Sequence, residues 1–195
     1  MPFTRGPTDS ENDMLRLAVP LALVVALAST PALSASSPFR DFLSMFEQQA
    51  VPRQVVAFGG RHAPGTVVVS TSQRRLYYVL GGGWAIQYGV GVGREGFAWS
   101  GTKTVTMKKE WPDWRPPAQM LKRRPDLPRH MAGGSDNPLG SRALYLGSSL
   151  YRIHGSNEPE TIGAAVSSGC IRMTNRDVQD LYDRVRVGTK VVVIR

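Results

Sequence analysis

The segments His154-Gly155-Ser156-Asn157 and Ser168-Gly169-Cys170-Ile171-Arg172-Met173 lie near the end of the 195-residue chain, with sixteen positions from the histidine to the cysteine. Cys170 is the only cysteine, which excludes an internal disulfide framework and a cysteine-based zinc cluster. The chain has three histidines, too few to suggest a metal site, and we expect none. The sequence around this single thiol is therefore the most informative part of the chain.

A lone cysteine is either a buried apolar side chain or a reactive thiol, and the neighbours of Cys170 favour the second interpretation. Gly169 permits a tight turn that leaves its own N–H and that of Cys170 accessible, and converging amides can stabilise an oxyanion. The positive charge of Arg172 and a helix predicted to begin near Thr174 both favour the thiolate. We interpret Cys170 as a nucleophile.

A thiol nucleophile needs a base to take its proton, and histidine is the usual choice. His154 ends the apolar segment Tyr151–Ile153 and precedes Gly155, so its ring can project from the rim of a sheet into a cleft. The alternative is a histidine that is buried and satisfied in the core. His62 and His130 lie in loop-like, polar segments and are interpreted as solvated side chains. His154 is the best candidate for the base.

Short apolar segments with strand character dominate the chain after residue 65. Strands are predicted over 66–71, 75–80, 84–90, 102–107, 142–146, 150–154 and 190–194. A helix is predicted over Thr174–Val185 with Thr174 as its N-cap, and a single helical turn over Thr161–Val166. The pattern predicts a mainly β fold, a β-sandwich-like sheet core with one or two short helices.

The stretch 110–138 is rich in proline and basic residues and shows no clear strand or helix pattern. A loop of this length is usually functional or disordered. Trp111 and Trp114 are large apolar side chains that need a packing partner. We therefore favour a flap that covers a substrate over a disordered linker.

The first 35 residues resemble a secretory signal peptide, with an apolar run over 17–28 followed by small residues up to Ala35. The run is shorter than the roughly 20 residues that a membrane-spanning helix needs, which makes a permanent N-terminal anchor the weaker alternative. Acidic residues precede Met14, which indicates that the true start is Met14. We predict a signal peptide over 1–35 and an N-terminal helix and linker over 36–65.

The chain is basic, with 24 lysines and arginines against 15 acidic residues. Removal of residues 1–35, which carry two arginines and three acidic residues, raises the net charge from +9 to +10. Such a charge attracts polyanions such as nucleic acid, anionic lipid or an acidic cell-wall polymer. Export argues against nucleic acid, as does the lack of aromatic residues interleaved with basic ones. We expect an exported protein of the periplasm and cell envelope.

The two motifs resemble the catalytic signature of the L,D-transpeptidases, which carry a YkuD-type domain. The segments 137–140 and 188–192 are also similar to segments of that family, and the likeness covers 66–195. The resemblance implies a β-sandwich-like catalytic domain over 66–195 and cysteine acyl transfer on the stem peptides of peptidoglycan. It further implies that the protein needs no metal or organic cofactor and is acylated by carbapenem-type inhibitors.

The resemblance also implies roles for individual residues. Cys170 would be the nucleophile, His154 its general base, and the Gly155 carbonyl the group that orients the imidazole. The other implied residues, for oxyanion stabilisation and substrate binding, are Ser168, Gly169 and Arg172, the oxyanion donors being the amides of Gly169 and Cys170. The sequence departs from the family at Ser168, where many members have histidine, and at 100–104, which lacks the proline and second glycine of a Thr-Pro-x-Gly segment.

The implied reaction releases D-alanine from a tetrapeptide stem and leaves the acyl group on Cys170. Transfer to a second stem would give a 3→3 cross-link, transfer to an envelope protein would attach that protein, and transfer to water would be L,D-carboxypeptidase activity. Papain-like peptidases also use a cysteine and a histidine, but there the cysteine precedes the histidine, whereas here His154 comes first. In sortases the histidine lies much further upstream of the cysteine than the sixteen positions found here. The alternative from another class is a non-catalytic, basic peptidoglycan-binding envelope protein, which predicts a buried and unreactive Cys170.

Overall fold

A computed structural model describes residues 51–195 of the protein. The predicted signal peptide, the start at Met14 and residues 36–50 of the predicted N-terminal helix and linker lie outside the described residues. The strands are Gln54–Ala57 (β1), Val67–Ser70 (β2), Arg75–Gly81 (β3), Trp84–Gly89 (β4), Val92–Gly93 (β5), Gly101–Glu110 (β6), Arg142–Leu146 (β7), Arg152–His154 (β8), Ala165–Ser167 (β9), Ile171–Arg172 (β10) and Lys190–Ile194 (β11). The α-helices are Ala118–Arg123 (α1) and Asn175–Arg184 (α2).

Nine of the strands form one sheet in the order β1-β4-β3-β2-β11-β6-β7-β8-β10, and β5 pairs with β9 in a second, two-stranded sheet. Within the large sheet, β11 runs parallel to β2 and β10 runs parallel to β8, while the other neighbours are antiparallel. The prediction of a mainly β fold with one or two short helices is confirmed.

The long strand β6 joins the two halves of the large sheet. Its first part pairs with β11 and its second part with β7, and the register with β7 shifts between Val105 and Met107. Side chains from both halves and from α2 share a single buried apolar core, which provides the main driving force for folding. Representative members of this core are Val67, Leu76, Tyr88, Val105, Leu144, Ile153, Val178 and Leu181.

Helix α2 begins directly after the cysteine segment, as predicted. The Thr174 hydroxyl accepts a hydrogen bond from the Asp177 N–H at 3.1 Å and so caps the N-terminus. Val178 and Leu181 are buried against the sheet, and Val185 is the C-cap. Neither helix within residues 51–195 is long and apolar enough to cross a membrane.

Two predicted segments differ in the structure. In place of a helical turn over Thr161–Val166, the chain forms a 3₁₀ turn over Pro159–Thr161 and strand β9, because proline favours the first helical position and Ala165 pairs with Val92 of β5. The predicted linker contains the edge strand β1, which pairs with β4. In both segments, the new β-strand forms because it pairs with a strand that is distant in sequence.

The proline-rich stretch folds back as a flap over residues 111–138. Trp114 is buried and forms a β-bridge with Met131, whereas Trp111 is 46% exposed, so only one of the two tryptophans packs as predicted. The buried Asn137 side-chain amide donates to the carbonyl oxygens of Pro112 and Ala132, which ties the two ends of the flap together. Helix α1 lies within this flap and was not predicted.

Candidate active site

The histidine and cysteine motifs meet at the edge of the large sheet. Strands β8 and β10 are parallel neighbours, and Arg172 lies opposite His154. The Met173 N–H donates to the His154 carbonyl oxygen at 2.9 Å, which fixes the backbones of the two motifs against each other. Residues sixteen positions apart in sequence are thereby brought to one place.

His154 is buried, with 5% of its surface exposed, and its ring is held by the neighbouring peptide group. Its Nδ1 lies 2.6 Å from the Gly155 carbonyl oxygen. A carbonyl oxygen can only accept, so Nδ1 carries the hydrogen and Nε2 is free to accept a proton. Burial, with a smaller contribution from the charges of Arg172 and Arg152, lowers the pKa of His154 to about 4, although the Gly155 hydrogen bond opposes the shift.

Cys170 and His154 both line the wall of one cavity. The residue is half-buried, and its thiol points to the Leu150 carbonyl oxygen at 3.7 Å. Burial raises the pKa of the thiol, and hydrogen bonds and charge from Arg152, together with the charge of Arg172, partly offset that rise. The resting site is therefore a neutral thiol beside a neutral imidazole.

An aromatic stack fixes the turn that carries the cysteine. The Trp99 indole N–H donates to the Gly169 carbonyl oxygen at 2.8 Å, and Trp99 stacks on Tyr151 with ring centroids 4.7 Å apart. Gly169 has a φ of +103°, and a Cβ at this position would lie 2.5 Å from Tyr151 Cε1. Only glycine fits this turn without displacing the stack.

The amides predicted to stabilise an oxyanion are not equally free. The Gly169 N–H donates to Ser167 Oγ at 3.1 Å, and the Ser167 hydroxyl in turn donates to the Cys170 carbonyl oxygen at 2.6 Å. The Cys170 N–H donates to no acceptor within residues 51–195. Ser168 lines the cavity next to it. The Cys170 amide is thus the available donor of the predicted pair, and Gly169 becomes available only if Ser167 releases it.

Arg172 already has partners on the protein. Its guanidinium donates to Ser156 Oγ at 2.7 Å and to the Glu158 carboxylate at 2.8 Å, and 12% of its side chain is exposed. A charge-assisted pair of this length fixes the side chain against the cavity wall. Substrate binding by Arg172, which the resemblance implies, would compete with Glu158 for the guanidinium.

The cavity has a volume of about 720 Å³ and lies between the sheet edge and the flap. His154, Ser168, Cys170 and Arg172 line it, while His62 and His130 do not. The flap residues that line it include Trp114, Pro117, Met120, Arg123 and Leu127. This position agrees with a flap that covers a substrate.

Sequence reasoning missed several residues of this site. Arg152 lies two positions before His154 on β8, and this spacing places both side chains on the same face of a strand, which is a signal that could have revealed it. Trp99 and Ser167 had no such local signal. Within residues 51–195, no three His, Cys, Asp or Glu side chains come close enough together to hold a metal ion.

Comparison with known sequences identifies the family. The profile of the YkuD domain, the L,D-transpeptidase catalytic domain, matches residues 64–193. The chain belongs to the L,D-transpeptidase family. The probable L,D-transpeptidase ErfK/SrfK of Escherichia coli strain K12 is 37% identical over 160 residues, which are 75% of this chain and 49% of that protein. A putative L,D-transpeptidase of Fuscovulum blasticum is 33% identical over 193 residues, which are 96% of this chain and 100% of that protein.

The solved structures of L,D-transpeptidases share the fold. L,D-transpeptidase 3 from Mycobacterium tuberculosis, in complex with a faropenem-derived adduct, is 19% identical and superposes with a TM-score of 0.53 over 67% of this chain and 60% of that chain. The chain spans about half the length of the Escherichia coli relative that it matches. The fold of these solved structures therefore agrees with the family that the domain profile identifies.

Proposed function

We propose that this chain is an exported, periplasmic cysteine L,D-transpeptidase that forms an acyl-enzyme on Cys170 with tetrapeptide stems of peptidoglycan. Membership of the L,D-transpeptidase family supports a role in peptidoglycan cross-linking or attachment. The signal-like pattern over 1–35 supports export. The observation that carries the mechanism is the contact of His154 Nδ1 with the Gly155 carbonyl, which leaves Nε2 free in the cavity that holds the Cys170 thiol.

In the first half of the reaction, Cys170 Sγ attacks the carbonyl carbon before the terminal D-alanine and its proton passes to His154 Nε2. The Cys170 N–H stabilises the oxyanion that forms, and such a donor is typically worth about 3–4 kcal/mol. The bond from carbon to nitrogen then breaks, Nε2 returns the proton to the leaving D-alanine, and a thioester remains. Because thiol and imidazole are both neutral at rest, attack and proton transfer are coupled.

In the second half, an acceptor attacks the thioester and the bond between sulfur and carbon breaks. The acceptor gives its proton to His154 Nε2, and Nε2 then returns a proton to the sulfur of Cys170 as the thiol leaves. An amine of another stem gives a 3→3 cross-link, an amine of an envelope protein gives an attachment, and water gives L,D-carboxypeptidase activity. The choice among them depends on which acceptor the cavity admits.

The test of this function is intact-mass spectrometry of the full chain incubated with a carbapenem, followed by peptide mapping. We expect one adduct per chain, on Cys170, because the adduct on the related Mycobacterium tuberculosis enzyme shows that such a fold can carry one. A sample in which Cys170 has first been alkylated serves as the control and should gain no mass. A tetrapeptide stem should then release D-alanine. Absence of both adduct and D-alanine release would reject the enzyme and favour the non-catalytic binding protein.

The pH dependence of acylation tests the state of His154. Its ring must be neutral to accept a proton, and its pKa lies at about 4. As the pH falls through that value the ring becomes imidazolium and loses its function as a base, so the rate of acylation should fall near pH 4 and stay high at pH 5 to 6. The measurement is kcat/KM between about pH 3.5 and 8, with circular dichroism to confirm that the protein stays folded. A fall centred near 6.5 would contradict the expectation.

A further inference from the structure

The cavity around Cys170 carries a large excess of positive charge. Arginine side chains line it from four separate parts of the chain, and among residues 51–195 the only carboxylate on its wall is that of Glu158. These arginines are Arg94, Arg123, Arg124, Arg152 and Arg172. A concave surface of one charge sign selects ligands of the opposite sign.

Two of these charges are already neutralised. Arg172 pairs with Glu158 at 2.8 Å, and Arg124 pairs with Asp126 at 2.7 Å. Arg94, Arg123 and Arg152 form no ion pair with any residue in the range 51–195. The Arg152 guanidinium donates to the Leu150 carbonyl oxygen at 3.3 Å, whereas those of Arg94 and Arg123 make no hydrogen bond within that range. These two guanidiniums are therefore available to an anionic ligand.

Arg94 and Arg123 converge on one aromatic ring, although they are 29 positions apart in sequence. The guanidinium carbon of Arg94 lies 4.3 Å from the centroid of the Phe97 ring, and that of Arg123 lies 5.6 Å from the same centroid. Each contact is a favourable cation–π interaction, but two like charges held around one ring repel each other. A carboxylate bound within reach of both guanidiniums would relieve that repulsion and accept charge-assisted hydrogen bonds.

The backbone places this cluster beside the nucleophile. The Arg94 N–H donates to the Ser167 carbonyl oxygen at 3.0 Å, and the Phe97 N–H donates to the Arg94 carbonyl oxygen at 2.9 Å. The Arg94 backbone is thus fixed against Ser167, three residues before Cys170, while Arg123 reaches the same ring from helix α1 of the flap. Lys122, the neighbour of Arg123 on that helix, is exposed and does not line the cavity.

We propose that Arg94 and Arg123, which both contact the Phe97 ring, form a carboxylate-binding subsite that selects the acyl donor. Resting on the proposed function, this inference specifies the substrate as a stem peptide whose carboxyl groups next to the scissile bond are free. A stem in which those groups are amidated is neutral there and leaves the two guanidiniums without a counter-charge. The subsite therefore favours the free acid over the amide.

The test compares two synthetic tetrapeptide donors that differ only in these carboxyl groups, free in one and amidated in the other. With the full chain, we expect kcat/KM for acylation to be about ten- to a hundredfold higher for the free acid. The preference should shrink as salt is added, because salt screens charges at the mouth of the cavity. In the double variant Arg94→Gln with Arg123→Gln, the ratio should fall below about threefold.

Lys122→Gln is the matched control, since it removes one positive charge from the same helix outside the cavity, and its ratio should equal that of the wild type. Equal rates for both donors in the wild type would overturn the subsite and leave the proposed function intact. A preference that persists in the double variant would also overturn it and place carboxylate recognition elsewhere, for example at Arg152. If neither donor acylates Cys170, the proposed function itself fails and the subsite with it.

Discussion

Replacement of Cys170 by serine is expected to lower the rate of D-alanine release from a tetrapeptide stem by about 10⁴-fold or more. A hydroxyl is far less acidic than a thiol, so it needs a stronger base to become a nucleophile. His154 is a weak base here, because burial lowers its pKa to about 4. A base of this strength can activate a thiol but is too weak to activate an alcohol.

Serine is the informative substitution because it preserves the size and the hydrogen bond of the side chain. Its hydroxyl can still donate to the Leu150 carbonyl oxygen, which the thiol approaches at 3.7 Å. The urea midpoint of unfolding should therefore change little, and Ser148→Ala, in an exposed turn off the cavity wall, controls for handling of the protein. A Cys170→Ser variant that keeps turnover within about tenfold of the wild type would show that the sulfur is not the nucleophile.

The elements that sequence predicted well are those whose pattern is local. Helix α2 has its cap, its first-turn acid and its apolar face within Thr174–Val185, and the structure places it at Asn175–Arg184. Strands β7 and β11 have the predicted bounds, since each is a short apolar run that begins two residues after a glycine. These segments contain their own start and stop signals.

The strands and the helix that were not predicted from the sequence form through contacts with distant parts of the chain. Strand β5 has two residues and β9 has three, and each is a strand because the other lies beside it. Strand β1 forms on the edge offered by β4, and helix α1 forms where the flap folds back over the cavity. Segments this short have no periodicity to detect, so tertiary contacts decide their conformation.

The same division applies to the site. His154 and Cys170 could be singled out because each lies in a short motif with glycines beside it. The residues that shape their surroundings, such as Trp99 and Arg94, lie some seventy positions from the cysteine and reach it through loops. Their effect on Gly169 and Ser167 follows from the fold and from no spacing in the sequence.

Replacement of His154 by glutamine is expected to separate two reactions of Cys170 that are usually linked. Acylation by a stem peptide or a carbapenem should slow by about 10²–10⁴-fold, because glutamine cannot take the thiol proton during attack. Alkylation of the thiol by iodoacetamide at pH 7 should change by less than about threefold, because that reaction depends on the resting thiolate fraction. A neutral imidazole with a pKa of about 4 contributes no charge to hold that thiolate.

Arg152→Gln is the contrasting variant. The backbone N–H of Arg152 does most to lower the pKa of Cys170 against its burial, and glutamine keeps that group. The charge and the side-chain hydrogen bond of Arg152 also lower this pKa, and their loss should slow alkylation and acylation together. The two rates are measured on the same preparations by mass spectrometry. If His154→Gln slows alkylation as much as acylation, the resting enzyme holds a thiolate–imidazolium pair, and histidine would then set the charge state of the sulfur. If only acylation slows, the imidazole acts during bond formation and the arginine sets the reactivity of the resting thiol.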